Sequence, residues 1–344
     1  MILCLVLLMA LFILSAKAMN TWNVYKAEAA VTPVPTATVG PVSVTPGPYR
    51  ATPSPTPAPA TPVPTATPSY LNTGAQGQMV TDLQTRLQAL GYYTGKIDGD
   101  YGNGTKNAVQ LFQQVNGLDA DGIAGQKTLA ALYSDSAKPK PAPVDTLAGN
   151  IPLLVNKSHP LPAGFTPANL VTVKDLAGSL LIYERDTIQA VREAAEALIR
   201  MVQAAQADGI TPWKLREAYR TIDDQQRIFD SRVKSYMDAG NTKSQALSIT
   251  RREVADPGSS EHHTGLAFDL NVPGEYFVDT AQYLWLKRHC WDYGFILRYT
   301  DEKDEITGIT GEEWHIRYVG VEHSQKMRDM DYCLEEYVEY LEKQ

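Results

Sequence analysis

The sequence predicts a larger α+β part joined to a small all-α part, and three patterns carry that prediction. Leu266, Phe268 and Leu270 alternate with Ala267 and Asp269, the period of a strand with one face in a core. Val191, Ala194, Ala195, Leu198 and Val202 fall on one side of a helix expected over 187–207. Finally, Asp98-Gly99-x-x-Gly102-x-x-Thr105-x-x-Ala108 recurs as Asp121-Gly122-x-x-Gly125-x-x-Thr128-x-x-Ala131. Each copy reads as a Gly-bearing turn that leads into a helix capped by Thr.

Taken from the N-terminus, residues 2–16 are almost wholly apolar and then meet Lys17. That length suits the core of a signal peptide better than a membrane span, which needs about 20 residues. Ala16-Lys-Ala18 offers a small-x-small cleavage site, although no basic residue precedes the apolar run. Segment 1–19 is therefore expected to be a signal peptide, with a retained membrane anchor as the alternative, and the rest of the chain to be exported. Residues 20–72 form a linker, mostly Pro, Thr, Ala, Ser and Val between 31 and 69. Such a composition cannot bury a core and favours extended polyproline II. At ~3.1 Å per residue, about 38 residues reach on the order of 120 Å.

The repeat occupies a small domain expected over 73–134. Ahead of its first copy, Val80, Leu83, Leu87 and Leu90 mark one helix face that stops at Gly91, which gives three short helices around a small core. Asp98-Gly-Asp100 lacks the sixth-position Gly and twelfth-position Glu of a calcium loop. A second linker, 135–148, carries Lys-Pro-Lys-Pro-Ala-Pro and separates this unit from 149–344. In the larger part, an extended stretch is expected over 213–219, helices over 223–237 and 281–293, and a strand-rich segment over 306–319. An amphipathic segment starts at Cys333.

Chemistry concentrates in Ser260-Glu-His262-His-Thr-Gly265-Leu-Ala267-Phe-Asp269 and in Glu312-Glu-Trp314-His315. Two imidazoles and one carboxylate, His262, Asp269 and His315, leave a tetrahedral ion one open position, the pattern of catalytic zinc. Thr264-Gly265 supplies a bend that folds His262 back toward Asp269, and Gly265 permits a close backbone approach. The carboxylate three residues before His315 supplies a base for water at the metal. Glu312 has that spacing; strand neighbours face opposite ways, so Glu313 is expected to point away. No His-Glu-x-x-His helix exists in the chain.

These motifs resemble the zinc D-alanyl-D-alanine carboxypeptidases and dipeptidases of the VanY/VanX type. The resemblance extends to Leu153-Leu-Val-Asn-Lys157, Tyr219-Arg220-Thr221, Tyr293-Gly-Phe-Ile-Leu-Arg-Tyr299 and His315-Ile-Arg-Tyr-Val-Gly320, and covers roughly 149–340. It departs where the family has Pro after the catalytic Glu and this chain has Glu313. It implies a small antiparallel sheet flanked by helices, Hedgehog/DD-peptidase-like. It also implies one Zn²⁺ on His262, Asp269 and His315, Glu312 as the base, and Arg220 holding substrate and oxyanion. Gln225 and Ser260 are implied as substrate contacts. Residues 74–132 resemble the three-helix peptidoglycan-binding domain, on Leu90-Gly-Tyr-Tyr93, Asp98-Gly99 and Ala108-Val-x-x-Phe-Gln113. The expected reaction is removal of the terminal D-Ala from peptidoglycan stem peptides. The alternatives are L,D cleavage of tetrapeptide stems or an inactive zinc-containing wall-binding protein.

Other classes are excluded or left open. A net charge of −8 without a Lys/Arg-rich run argues against nucleic acid. Ser231-Arg-Val-Lys234 matches a serine acyl-enzyme motif, but neither of its companion elements follows. Cys290 and Cys333 are compatible with one disulfide or with two buried thiols. His159, His263, His289 and His323 have no partner spacing and are expected to be structural or exposed.

Overall fold

In the computed structural model the described residues are 70–344 except Glu275. The leader 1–19 and nearly all of the linker 20–72 lie outside them. Among the described residues no helix is long and apolar enough to cross a membrane.

The small domain is built on the repeat. Helices Gln78–Ala89, Asn103–Val115 and Gln126–Leu132 enclose Val80, Leu83, Leu87, Val109, Phe112 and Leu132. It is not purely helical, because strand β1 (Tyr70–Leu71) pairs antiparallel with β2 (Ala124–Gly125). Each repeat turn is clamped by a buried glutamine. The Gln84 side chain donates to Asp98, the Asp100 carbonyl and Thr105, and accepts from the Asp98 and Gly99 amides. Gln113 does the same for Asp121, Ile123, Thr128 and Gly122. Asp98 therefore spends its carboxylate on Gln84 and on its own turn. The segment expected as a linker is tied at both ends. Lys138 and Lys140 bond Asn116, Tyr92 and Leu90, while Val144 exchanges backbone hydrogen bonds with Thr166 and Ala168.

The larger part contains a two-stranded ribbon of β3 (Leu170–Thr172) and β5 (Gln189–Val191). Its main sheet comprises β4 (Ile182–Tyr183), β6 (Lys214–Glu217), β7 (Ala267–Asn271), β8 (Phe295–Tyr299) and β9 (Glu312–Tyr318), in the order β4-β6-β7-β9-β8. The sheet is antiparallel except for β4, which runs parallel to β6. Leu215, Phe268, Leu270 and Ile316 join a core with helix Arg192–Ala207, as the period-2 pattern requires, and Asp269 faces the other way.

Three expected elements differ in their bounds. The helix expected from 187 starts at Arg192, because residues 189–191 spend their backbone on strands. The Gln189 carbonyl accepts from the Tyr219 amide and the Val191 amide donates to Gly265. The strand-rich run expected from 306 opens with a short helix, Asp304–Thr307, before β9. Helix Ala281–His289 tightens into a 3₁₀ turn, Cys290–Tyr293. Cys290 and Cys333 are both buried free thiols. The amphipathic C-terminal segment is helix Leu334–Glu342, which buries Leu334, Tyr337 and Val338 against Ile296 and Val319.

Candidate metal centre

Sheet register assembles the site. Glu217 pairs with Asp269 across β6 and β7, and Asp269 pairs with His315 across β7 and β9. The three side chains thus form a row on the face away from the core. His262 enters from a 3₁₀ turn, Glu261–Thr264, just before β7. Gly265 ends that turn in the left-handed region at φ +69, where a Cβ would meet Val191 and Leu170 at 3.0 and 3.1 Å. Only glycine fits this approach without strain.

The three expected ligands converge. One donor atom from each of His262, Asp269 and His315 lies within 4.8 Å of the others. His262 Nε2 is 3.4 Å and His315 Nδ1 is 3.0 Å from Asp269 Oδ1. The remaining ring nitrogens face outward. His262 Nδ1 lies 2.6 Å from the Ala218 carbonyl, and His315 Nε2 lies 3.6 Å from Glu261 Oε2. His315 Nε2 and Glu261 Oε2 are buried, and neither has a hydrogen-bond partner. Outer acceptors of this kind fix the tautomer of a metal-ligating imidazole. Two imidazoles and a carboxylate with donor atoms gathered this closely fit zinc.

Glu312 Oε2 lies 3.7 Å from His315 Nδ1. Burial and the Asp269 charge raise its carboxyl to about 7, against the lowering pull of His315 and Arg220. A dication at the ligand atoms would draw it down again. Plain alternation would put Glu313, not Glu312, on the face of His315. The β8–β9 register supplies the reason it does not. Leu297 pairs with Ile316 but Tyr299 with Glu312, so β9 carries an irregularity between these pairs that brings Glu312 round. Glu313, with Glu302 and Asp301, adds to the burial that raises the Tyr283 hydroxyl to about 12.

Arg220 reaches Asp269 Oδ2 with NH2 at 3.9 Å. Its NH1 donates to Gln225 Oε1 at 2.7 Å, and Glu217 lies 3.7 Å from its Nε. The next residue, Thr221, caps helix Ile222–Asp238 in a reciprocal pair with Asp224, which sets where Arg220 leaves the helix. Gln225 is buried, with its amide nitrogen on the Ala255 carbonyl, so in this structure it grips Arg220. Ser260 is buried at the start of the 3₁₀ turn.

Two further residues support the site: His263, expected to be structural or exposed, and Glu261, which no motif singles out. His263 is buried, its Nδ1 2.7 Å from the Arg220 carbonyl, and its Nε2 accepts from the Gly258 amide. Glu261 is wholly buried between Arg298 and Arg317. Burial alone would raise the Glu261 carboxyl, but the two guanidinium groups hold it well below the usual range. Nothing in a lone Glu between Ser260 and His262 signals this. The alternation of Arg298 and Arg317 with buried apolar residues was the one available hint.

Comparison with known proteins follows the same division of the chain. A family model described as D-alanyl-D-alanine carboxypeptidase (VanY) matches residues 187–321, and one for a peptidoglycan-binding domain matches 76–132. A bifunctional D-Ala-D-Ala dipeptidase and carboxypeptidase of Enterococcus gallinarum is 34% identical over 55% of this chain and 93% of its own. This chain belongs to the VanY family of D-alanyl-D-alanine carboxypeptidases. A D-alanyl-D-alanine carboxypeptidase of Enterococcus faecalis is 38% identical; the match spans 54% of this chain and 65% of that protein's length. A solved structure of a VanY D,D-pentapeptidase in complex with Zn(II) is 35% identical, covering 54% of this chain and 97% of that one, with a TM-score of 0.47.

Proposed function

We propose that this chain hydrolyses the terminal D-Ala from peptidoglycan stem peptides that end in D-Ala-D-Ala. One observation carries the reading: a three-donor cluster flanked by a half-buried carboxylate, Glu312, and a pinned guanidinium, Arg220. Bound at the cluster, zinc supplies Lewis acidity to the scissile carbonyl and to water. Glu312 takes the proton of the attacking water and returns it to the leaving amine, roles that its place 3.7 Å from His315 allows. Arg220 presents a fork to the developing oxyanion or to the peptide's terminal carboxylate. Gln225 and Glu217 hold that fork in place before substrate arrives.

The same reading puts the enzyme outside the cell. The apolar run 2–16 exports or anchors the chain, and the Pro-rich tract spaces it from the membrane. The small domain holds it on the wall, where tethering raises the concentration of stem peptides within reach. Because no serine acyl-enzyme forms, penicillin leaves the reaction unaffected. Pentapeptide and tetrapeptide stems, digested in parallel and weighed by mass spectrometry, test the specificity. The proposal expects loss of one alanine from the pentapeptide. Loss from the tetrapeptide alone would assign an L,D activity to the same zinc site, and loss from neither would favour a wall-binding role.

A further inference from the structure

The carboxylate that faces one metal ligand belongs to a buried chain of charges that ends on the C-terminal helix. Glu261 precedes His262 in sequence, yet its Oε2 faces the other imidazole, His315 Nε2, at 3.6 Å. Its Oε1 is held by Arg298 Nε at 2.8 Å and Arg317 NH1 at 3.0 Å. All three side chains are fully buried. Arg298 turns its other two nitrogens to Glu335, on helix Leu334–Glu342, at 2.9 and 2.7 Å. Glu335 also accepts from the Asn156 side chain. Arg317 is fixed in turn by the Leu153 and Tyr318 carbonyls.

The charges balance, with two carboxylates against two guanidinium groups. The geometry leaves Glu261 little freedom, because Oε1 sits between Arg298 Nε and Arg317 NH1 and a two-point contact with Glu335 fixes Arg298 in direction as well as distance. A buried carboxylate without such partners would not stay ionised beside an imidazole. Glu261 Oε2 is buried without a hydrogen-bond partner, and so is the His315 Nε2 that it faces.

We propose that Glu261 is a positioning residue for the metal ligand His315, and that Arg298 and Glu335 extend its support to the C-terminal helix. The inference rests on the zinc reading of the site. Glu261 holds the proton of His315 on Nε2, so that Nδ1 presents its lone pair to the ion, and it holds the ring plane. Helix Leu334–Glu342 is then part of the metal centre although none of its residues touches a ligand.

The test is zinc affinity, measured by competition with a chromophoric chelator on the full chain, for wild type, Glu261→Gln and Glu335→Gln. Cobalt(II) absorption reports the ligand field, and melting of the metal-free proteins reports folding. Glu261→Gln should bind zinc roughly 10- to 100-fold more weakly and shift the cobalt spectrum, as loss of an outer acceptor does elsewhere. Glu335→Gln should weaken zinc several-fold in the same direction, roughly the low end of that range. A folded Glu261→Gln protein with wild-type affinity and spectrum would overturn the inference. Should Glu261→Gln fail to fold, Glu335→Gln decides, and unchanged affinity there would overturn it equally. A wild-type chain that binds neither zinc nor cobalt would overturn the metal reading and this inference with it.

Discussion

Asp269 and His315 stand directly opposite each other on β7 and β9, with Oδ1 and Nδ1 3.0 Å apart. Forty-six residues separate them in the chain, so strand register alone makes them neighbours. A one-residue slip would turn either side chain to the core face and dismantle the site.

The first prediction separates the two adjacent carboxylates. Glu312→Ala should lower D-Ala release by ~100-fold or more, the usual worth of a general base, while zinc stays bound. Glu313→Ala should stay within about threefold of wild type, as expected of a carboxylate outside the proton path. Kinetics on a pentapeptide, with metal analysis of each variant, decide this. Full activity in the first and none in the second would make Glu313 the base.

Gln225 grips Arg220, so its removal should loosen the fork without touching the metal. Gln225→Leu should cost on the order of 10- to 100-fold in kcat/KM, the effect of a group misplaced by about an ångström. Zinc content should remain that of wild type. Unchanged kcat/KM would show that Arg220 needs no such anchor.

Zinc binding should release a proton from His315. In the metal-free chain burial disfavours the imidazolium, but Asp269 and Glu261 outweigh it and raise the His315 pKa to about 9. His315 is then protonated at neutral pH, and zinc must displace that proton to bind. Zinc affinity should therefore climb with pH up to this value and level off above it. Calorimetry in buffers of different ionisation enthalpy measures the release. An absence of proton release at pH 7 would mean that the ligand is already neutral.

Gln84 is the stability prediction. Replacing it by Leu strands the amides of Asp98 and Gly99 and leaves Thr105 without its donor. Buried groups left unpaired cost about 1–3 kcal/mol each, so roughly 3 kcal/mol in all is expected. Urea unfolding followed on the small domain's tyrosines would show it. A loss below about 1 kcal/mol would mean that water replaces the glutamine.

Much of this site was legible in the sequence because it rests on short-range pattern. The alternation around Asp269 announced a strand, and Thr264-Gly265 announced the bend that returns His262. Other parts were not legible. The helix expected from 187 loses its first turn to long-range bonds with Tyr219 and Gly265, which no local window contains. Glu-x-x-His spacing points to Glu312, whereas strict alternation argues for Glu313. The deciding irregularity in β9 appears only in its pairing with β8. Glu261 was invisible because its partners, Arg298, Arg317 and Glu335, lie far along the chain and meet only in the folded core.

The most direct test of the account is D-Ala release from a pentapeptide stem by the protein as purified, stripped with EDTA, and restored with zinc. The account predicts that stripping abolishes release and that about one equivalent of zinc restores it, since one three-donor site among the described residues carries the chemistry. Release that persists undiminished in the stripped protein would contradict it.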